Sequence, residues 1–382
     1  MTALTINHAL GSYPVHIEPG VLVLLRELLG AAVPNRRLVL IADETVARLY
    51  DEWTSGTPEA RQLGARASDA GVRPSFTARL TFPAGEPSKT RETWQRLTDD
   101  LLAAHIGRDA AIVAIGGGVT GDLAGFVAAT YLRGIPHIQV PTTLVAMVDA
   151  AVGGKVGVDT ALGKNLVGAF HPPALVVADP LTLMSLPESE YRMGLAEAIK
   201  HGLIADREYF EWLGTNGRLI RSRQPATVTQ LVRRSIEIKA SIVTEDEREQ
   251  GRRAILNAGH SVAHALEQVS AWQLAHGEAV AIGLVMECRI AEKLGVAEAG
   301  LAESVSAVLQ RFGLPVGIPP RVSRTEVLGA MQQDKKNRDG SIRMALPRTI
   351  GAMHQQEGGW TVPVEPHVIL AAMDQPGAHI ST

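Results

Sequence analysis

The sequence predicts two domains: an N-terminal doubly wound, Rossmann-like α/β domain in residues 1–179, and a mainly α-helical domain in residues 180–382. Short apolar runs alternate with amphipathic segments in the first half, whereas helical periodicity dominates the second half. The chain has 382 residues, of which 46% are hydrophobic and 20% are charged, so two domains of ordinary size can each bury a core.

Three apolar runs in the first half predict buried strands, each followed by a polar or glycine-rich loop. The runs are residues 37–42, 110–115 and 137–140, and they are followed by Asp43, by Gly116–Gly118 and by Pro141–Thr143, respectively. The amphipathic segment 90–104 predicts a helix between two of them. Strands that alternate with helices form parallel sheets, and ligands bind at the carboxyl ends of such strands. We therefore expect a ligand site where these loops meet.

After about Asp179, the apolar spacing predicts helices and very few strands. The predicted helices are residues 188–204, 226–247, 260–269, 278–294 and 299–311, and the predicted strand is residues 342–346. Cys288, the one cysteine, lies in an apolar stretch, which predicts a buried thiol, with a reactive thiol as the alternative. Residues 374–382 have little to bury and are expected to fray.

Composition argues against several classes of function. The formal net charge of -3 gives no general electrostatic reason to bind nucleic acid or a membrane. No uninterrupted apolar stretch reaches the roughly 18 residues of a membrane span. A single cysteine excludes an intramolecular disulfide. Residues 1–13 contain no basic segment followed by an apolar one, so no secretory signal is visible and a cytoplasmic location is expected.

Residues 116–122 contain the spacing G-x-G-x-x-G directly after a predicted strand. Glycines there would let backbone N–H groups approach a pyrophosphate, and the start of the next helix would add a favourable dipole. A structural turn is nearly as good an interpretation, because no isolated acid lies about 20 residues downstream to bind a ribose. Asp43 and Glu86 are upstream candidates for that role, so a nucleotide would be bound by a variant of the doubly wound scheme.

Lysines beside glycines form candidate anion sites. Lys155 follows two glycines, and Lys164 and Asn165 follow Gly163. Small neighbours leave the approach of an anion open, although ordinary surface lysines are an equally good interpretation.

Glu197, Lys200 and His201 lie within about one helical turn. Glu197 and Lys200 are three residues apart and could form a simple surface pair. Their neighbours are apolar, however, which predicts a buried helix, and a buried carboxylate needs a partner or a metal.

Three histidines could complete a metal site with Glu197. His260 and His264 are four residues apart and share one face of a predicted helix, which suits either a shared metal or one ligand and one substrate contact. His276 lies at the start of another predicted helix. Glu197, His260 and His276 offer one oxygen and two nitrogen ligands, the set of a catalytic zinc site with open positions. Core or capping histidines are the alternative.

These segments, taken in order, resemble the 3-dehydroquinate synthase family. The resemblance is carried by Gly116–Thr130, Gln139–Thr143, Gly153–Lys155, Leu162–Asn165, Gly194–Glu197, Asp246–Glu249, Asn257–His264 and His276–Glu278. It covers residues 11–351, nearly the whole chain, and several independent motifs in the same order make it highly specific.

The resemblance implies roles for individual residues. The ligands of a zinc or cobalt ion would be Glu197, His260 and His276. The NAD-binding residues would be Asp43, Glu86, Lys89, Gly117, Gly118, Asp122, Thr142, Thr143, Lys155, Lys164, Thr182 and Ser185, the last of which is commonly Thr in relatives. The substrate-facing residues would be Arg133, Asp149, Lys155, Lys164, Asn165, Lys200, Lys239, Arg253, Asn257 and His264, with Glu249 as a supporting acid. Arg133 resembles a residue that reaches across a dimer interface, which implies a homodimer. A further cation would be Lys336 or Arg343.

The activity implied by the resemblance is the conversion of 3-deoxy-D-arabino-heptulosonate 7-phosphate to 3-dehydroquinate and phosphate, a step of the shikimate pathway. NAD would oxidise C5, phosphate would leave, the hydride would return, and an intramolecular aldol reaction would close the ring. The carboxylate and phosphate of this sugar-phosphate substrate would need two cationic clusters.

Several alternative activities share these features. One is another sugar-phosphate cyclase, of the amino-dehydroquinate or epi-valiolone type, and another is a metal-dependent polyol dehydrogenase. Lys239, Arg253 and Asn257 favour a carboxylated substrate, which an amino analogue would also have. A metabolite-binding regulator is a non-catalytic alternative, and the three metal-ligand positions argue against it. Residues 258–263 are less bulky than in relatives, which predicts a repacked and looser pocket.

Overall fold

The computed structural model describes residues 3–55, 74–333 and 341–374. The chain divides into two compact units, one of Met1–Leu186 with Val228–Ile236 and the other of Pro187–Thr227 with Glu237–Thr382. Helical periodicity alone gives no sign that residues 228–236, which lie inside a long helix, belong with the first unit. Among the described residues, no helix combines the length and the apolar character that crossing a bilayer requires.

The first unit is built on a mostly parallel sheet. Its strands are β1 (Leu4–His8), β2 (Gly11–Ile17), β3 (Arg37–Asp43), β4 (Phe76–Phe82), β5 (Ala110–Gly116), β6 (His137–Pro141) and β9 (Leu175–Ala178), with a separate hairpin of β7 (Lys155–Thr160) and β8 (Gly163–Phe170). The order across the sheet is β1-β2-β9-β6-β5-β3-β4, and only the pair β1 and β2 is antiparallel. The three predicted strands are confirmed, and they are neighbours in the sheet.

Helices cover both faces of this sheet. They are α1 (Leu25–Ala32), α2 (Glu44–Ser55), α3 (Arg91–Ala103) and α4 (Gly118–Thr130). Along β3, Val39 and Ile41 pack into a core with α3 and α4, while Leu40 and Ala42 pack into a second core with α1 and α2. Because successive side chains of a strand point to opposite faces, an unbroken apolar run is what a strand with two covered faces requires. The predicted doubly wound fold is confirmed.

The second unit is mainly helical. Its helices are α5 (Glu188–Ala205), α6 (Arg207–Thr215), α7 (Gly217–Arg221), α8 (Pro225–Glu245, shared with the first unit), α9 (His260–Val269), α10 (His276–Lys293), α11 (Leu301–Arg311), α12 (Arg324–Gln332) and α13 (Pro366–Met373). Two small sheets pair β10 (Ile342–Met344) with β13 (Val362–Val364) and β11 (Pro347–Thr349) with β12 (Ala352–Met353). The five predicted helices are confirmed within a few residues at each end.

Helix α10 forms the centre of the second unit and packs against α5, α9 and α11. Nearly all of its residues are buried, including Cys288, and burial raises the pKa of that thiol. The prediction of a core cysteine is therefore confirmed. Gly283 allows the closest approach: a Cβ at this position would lie 1.9 Å from the carbonyl oxygen of Gly259. The backbones of α10 and the start of α9 are thus in direct contact.

Candidate active site

Neighbouring strand ends in the first unit bring together the predicted nucleotide-binding residues. The Thr142 N–H donates to the carbonyl of Gly116 at 2.9 Å, which joins the ends of β5 and β6. The Thr120 hydroxyl donates to Asp43 Oδ2 at 3.3 Å, which joins the end of β3 to the start of α4. Asp43 Oδ1 also accepts two N–H groups at the start of α2, so this carboxylate has a structural role as well.

The glycine loop lies at the start of α4. Gly117 precedes the helix, and no side chain caps its first N–H groups. A Cβ at Gly117 would lie 3.0 Å from Thr143 Cγ2, and one at Gly118 would lie 3.4 Å from the Cβ of Ala150. Larger residues would crowd this loop, and a helix start of this kind suits a phosphate group.

Lys89 organises an ionic group beside this loop. Its Nζ lies 2.6 Å from Asp122 Oδ2 and 2.6 Å from Asn165 Oδ1, and the lysine is only 4% exposed. Burial lowers the pKa of Lys89, but Asp122 and Glu86 outweigh that effect and raise it, so the ammonium stays charged. Lys164 Nζ lies 3.6 Å from Glu86 Oε1.

Asp159 belongs to the same group, although nothing in the sequence distinguished it. Its N–H donates to the carbonyl of Lys89 at 2.8 Å, and its Oδ1 accepts the N–H of Asn165 at 2.8 Å. Burial raises the pKa of Asp159, partly offset by Lys89. Asp159 therefore connects the β7–β8 hairpin to the Lys89 loop, and a contact of this kind depends on tertiary structure.

The remaining predicted residues of the first unit lie on short irregular elements. Thr182 is buried and Ser185 exposed on the 3-10 helix Pro180–Ser185, where the Ser185 hydroxyl donates to the Thr182 carbonyl at 3.0 Å. Asp149 is half-buried on a single π-helical turn, a distortion that often occurs at functional sites. Lys155 is exposed at the start of β7, and Arg133 is exposed after α4.

Three helices of the second unit bring Glu197, His260 and His276 together. Glu197 lies inside α5, whereas His260 and His276 are the first residues of α9 and α10. Glu197 Oε1 is 3.6 Å from His260 Nε2 and 3.3 Å from His276 Nε2, and the three ligand atoms lie within 4.8 Å of one another. Ligands around a tetrahedral zinc ion with ordinary bond lengths are about 3.3 to 3.6 Å apart. The donor set and its spacing fit a divalent ion such as zinc or cobalt.

The charges of this group also fit a metal. Burial alone would raise the pKa of Glu197, but the Lys200 ammonium and the two imidazoles hold it well below its usual range. Burial and the Lys200 ammonium lower the pKa of His260, which is neutral, as a ligand must be. His260 Nδ1–H donates to the Ala258 carbonyl at 3.2 Å, which leaves the lone pair on Nε2, the atom that faces Glu197.

His276 differs from His260 in its partners. Burial lowers its pKa, but hydrogen bonds to Glu197 and Glu267 outweigh burial and raise it to about 10. Its Nδ1–H donates to Glu267 Oε1 at 3.3 Å. A metal at Nε2 would displace a proton while this second bond stays in place.

Lys200 forms an ion pair with Glu197 inside α5, and both side chains are buried. The alternative of a surface pair is therefore wrong, because the apolar neighbours bury this helix. His264 lies one turn after His260, with its ring perpendicular and 5.5 Å away. It is outside the group of three candidate ligand residues.

The loop after α8 carries the other predicted substrate residues. Arg253 is buried and donates to the carbonyl of Glu247, and the Asn257 amide donates to Glu249. Asp246 accepts backbone N–H groups of the same loop, including that of Arg253 at 2.9 Å. Lys239, on α8, is also buried. Hydrogen bonds within the loop, made by the half-buried Asp246 and Asn257 and by the buried Arg253, thus fix its conformation.

Two buried acids behind the ligands, Glu267 and Glu287, were not among the predicted residues. Glu267 could have been found, since it lies seven residues after His260 and so on the same helix face. Glu287 has a similar spacing from His276, eleven residues, but its partner is the backbone N–H of Gly259, which no sequence pattern identifies. Of the two candidate C-terminal cations, Arg343 donates to the Thr361 carbonyl at 2.6 Å, and Lys336 lies outside the described residues.

Comparison with known proteins gives consistent matches. The family model described as 3-dehydroquinate synthase N-terminal matches residues 79–193, and the one described as 3-dehydroquinate synthase C-terminal matches residues 194–337. The 3-dehydroquinate synthase of Symbiobacterium thermophilum is 44% identical over 337 residues, which cover 88% of this chain and 91% of the relative.

Two solved structures resemble the whole chain. A 2-deoxy-scyllo-inosose synthase complexed with carbaglucose-6-phosphate, NAD+ and Co2+ has a TM-score of 0.85 at 25% identity, covering 97% of this chain and 99% of that one. A 2-epi-5-epi-valiolone synthase from Streptomyces hygroscopicus with NAD+ and Zn2+ bound has a TM-score of 0.80 at 30% identity, covering 98% of each chain.

Proposed function

The chain belongs to the 3-dehydroquinate synthase family, and from that premise we propose that it converts 3-deoxy-D-arabino-heptulosonate 7-phosphate to 3-dehydroquinate and phosphate in the shikimate pathway. It is a carbon–oxygen lyase that depends on NAD and a divalent metal. The observation that carries the proposal is the convergence of Glu197, His260 and His276 on one point beside Lys200. One carboxylate and two histidines are one of the donor sets found at catalytic zinc sites, which keep a position open for water or substrate.

The two cofactors supply the redox step. When bound, NAD would accept a hydride from C5 of the substrate and later return it, and the metal would polarise the oxygen at that carbon. Glu197, His260 and His276 would bind the metal. The strand-end residues Asp43, Gly117, Gly118, Thr142 and Thr143, together with Glu86, Lys89, Asp122, Thr182 and Ser185, would bind NAD.

Cationic and amide groups would hold the two anions of the substrate. We assign the phosphate to Lys155, Lys164 and Asn165, and the carboxylate to Lys239, Arg253 and Asn257. Arg253 and Lys239 are both buried, and Arg253 donates to the Glu247 carbonyl, so its positive charge is held at a fixed point before any substrate arrives. Fixed charges favour one orientation of the substrate, and proximity then favours elimination and ring closure.

Supporting groups complete the assignment. Glu249 accepts a hydrogen bond from Asn257 and so orients that amide. Lys200 keeps Glu197 ionised, and His264 lies beside His260, where it can contact the substrate. Asp149 is assigned to the substrate on the resemblance and its half-buried place on the π-helical turn.

The substrate assignment is tested by release of inorganic phosphate in the presence of NAD and zinc or cobalt. Three substrates should be compared: the heptulosonate phosphate, its amino analogue and sedoheptulose 7-phosphate. We expect turnover of the first and little of the last, which has no carboxylate. Turnover of sedoheptulose 7-phosphate alone would identify a different cyclase. Net accumulation of NADH from a polyol would identify a dehydrogenase.

Adjacent arginines give a matched control for carboxylate recognition. Arg253→Gln should raise KM for the heptulosonate phosphate by about 100-fold, the effect of losing a charge-assisted contact. Arg252→Gln should leave KM unchanged, since Arg252 pairs with Glu245 at the surface. Equal KM values in the two variants would show that Arg253 does not bind the substrate carboxylate.

We also propose that the protein is a homodimer to which Arg133 contributes across the interface. Leu132 and Arg133 have φ values of 49° and 69°, a left-handed conformation that costs energy for such residues, and Arg133 is exposed. The strain is explained if the turn directs Arg133 toward a partner chain. A cytoplasmic location is proposed as well, since a single buried, reduced cysteine fits a reducing compartment.

Mixed dimers test the role of Arg133. Arg133→Ala and His260→Ala dimers should each be inactive alone. After equal mixing and exchange of subunits, about half of the dimers are mixed and each of these has one intact site of two, so about a quarter of wild-type activity should return. No recovery despite exchange of subunits would show that Arg133 acts within its own chain.

A further inference from the structure

Behind the ligand residues, each of the two helices α9 and α10 holds the start of the other. Glu267, near the end of α9, accepts the Nδ1–H of His276, the first residue of α10, at 3.3 Å. Glu267 is 2% exposed. Because Nδ1 carries the proton in this bond, Nε2 is the ring atom left to face Glu197.

The opposite contact runs from α10 to α9. Glu287 Oε2 accepts the N–H of Gly259 at 2.7 Å, and Gly259 directly precedes His260, the first residue of α9. Glu287 is fully buried. Gly259 has a left-handed φ of 82°, a conformation that needs glycine, and its carbonyl lies against Gly283 of α10. The backbone before His260 is therefore held on two sides by α10.

The spacing along each helix makes the arrangement reciprocal. Glu267 follows His260 by seven residues, and Glu287 follows His276 by eleven. Seven and eleven residues are close to whole numbers of helical turns, so each acid lies on the same helix face as the ligand of its own helix. One face of each helix thus carries a ligand at its start and an acid that supports the other helix.

We propose that Glu267 and Glu287 are reciprocal positioning residues for the metal: Glu267 orients the His276 ring, and Glu287 fixes the backbone that presents His260. The proposal rests on the metal site of the proposed function. Neither acid reaches the ligand point, so both act through another group. An acid that only stabilised the fold would change the stability of the metal-free protein but leave metal affinity alone.

The test measures the zinc affinity of the full-length, metal-free protein by competition with a chromogenic chelator. Glu267→Met and Glu287→Met fill similar volume without an acceptor, whereas Glu267→Gln and Glu287→Gln keep one. Glu292→Met is the matched control, because Glu292 lies on α10 and accepts a backbone N–H, that of Ala302, at 3.0 Å. Thermal unfolding of each metal-free variant reports the fold separately.

We expect the two Met variants to bind zinc about 10- to 100-fold more weakly, the usual effect of losing a group behind a metal ligand. Glu287→Gln should bind like wild type, and Glu267→Gln, which keeps an acceptor but loses the charge, should lie between. Glu292→Met should bind like wild type. The Co2+ absorption spectrum of Glu267→Met should change shape, because the His276 ring is free to turn.

Wild-type affinity in both folded Met variants would overturn the proposal. If a Met variant does not fold without metal, the Gln variant at the same position is measured instead. Wild-type zinc affinity and a wild-type Co2+ spectrum in Glu267→Gln would overturn the role of Glu267 in orienting His276. Tenfold weaker zinc binding in Glu287→Gln would overturn the role of Glu287 as a backbone acceptor. Wild-type protein that binds no zinc or cobalt would instead refute the metal site, and with it the proposed function.

Discussion

The polar groups of the two units are built on opposite principles. In the first unit, Lys89 is surrounded by oxygen atoms of Asp122 and Asn165, so its charge is balanced within the protein. In the second unit, one carboxylate, Glu197, faces Lys200 and two imidazoles. The first arrangement fixes the conformation of the loops, so that both backbone and side-chain groups could contact a ligand. The second arrangement directs three ligand atoms toward one point. Substitution of any one of these residues should therefore have a larger effect on activity than substitution of a single residue around Lys89.

The largest effect is expected for His260→Ala in the second unit. It removes one of the three proposed metal ligands and should abolish both metal content and turnover, since two protein ligands bind zinc far more weakly. Metal content by atomic emission and phosphate release are the two measurements. His354→Ala, in the same unit but outside the three-residue group, is the control. Activity that survives in His260→Ala would contradict the assignment of His260 as a metal ligand and the greater sensitivity expected of the second unit.

A smaller but substantial effect is expected for Lys89→Met in the first unit. Breaking a buried ion pair costs roughly 3 to 5 kcal/mol. The Asp122 side chain retains 20% exposure, so we expect a loss of about 1 to 3 kcal/mol in unfolding free energy. KM for NAD should rise while metal content is unchanged. Adding Asp122→Asn should restore part of the stability, and a double variant that is less stable than Lys89→Met would contradict the pairing.

A third prediction concerns His137, a buried histidine whose pKa is lowered by burial and not raised by a neighbouring carboxylate. His137, on β6, is fully buried and stacks on His171, with ring centroids 5.1 Å apart. Burial, with a small contribution from His171, lowers its pKa to about 3, the reverse of His276. The unfolded chain binds the proton near pH 6.5, so the contribution of neutral His137 to stability is present above that pH and is lost as pH falls toward 3.

His137→Phe should therefore remove part of the acid sensitivity. Between about pH 7.5 and about pH 5, wild type should lose roughly 2 kcal/mol more unfolding free energy than the variant. Urea unfolding at the two pH values measures this difference, and His8→Phe, on the outer strand β1, is the control. Parallel losses in wild type and His137→Phe would show that His137 does not titrate as burial requires.

The smallest effect on stability is expected for Lys164→Gln. Lys164 Nζ and Glu86 Oε1 are 3.6 Å apart with side chains 23% and 42% exposed, and such exposed pairs contribute at most about 1 kcal/mol. The KM for substrate should nonetheless rise, if Lys164 binds the phosphate. A stability loss as large as that of Lys89→Met would show that the exposed pair, too, supports the fold.

Much of the fold could be predicted because its elements have strong periodicity. Strands β3 and β5 are apolar on both faces, β6 is buried although it alternates His137 and Gln139 with Ile138 and Val140, and α8 and α9 have clear apolar spacing. The β7–β8 hairpin was not predicted, because its glycines and half-exposed residues have the composition of loops. The strand alternation of β2 was missed as well, since Pro14 interrupts it.

The candidate site was only partly predictable. Burial and helical spacing already suggested Glu197, His260 and His276 as a ligand set, and the ordered motifs implied the same three, but no local pattern shows that three separate helices meet. Asp159 and Glu287 were missed because each bonds to a backbone group, and backbone groups look alike in a sequence. Their roles arise only from which segments pack together.

The contact between Gly283 and the Gly259 carbonyl has a consequence for mutational tolerance. The separation of α9 from α10 is set by main-chain atoms that touch, not by the volume of the side chains around them. Residues 258 and 261–263, which flank Gly259 and His260, can therefore change size while the start of α9 keeps its distance from the middle of α10. The surroundings of the proposed metal ligand His260 can thus vary as long as both glycines remain, whereas a methyl group at position 283 would clash with the Gly259 carbonyl and force the two backbones apart.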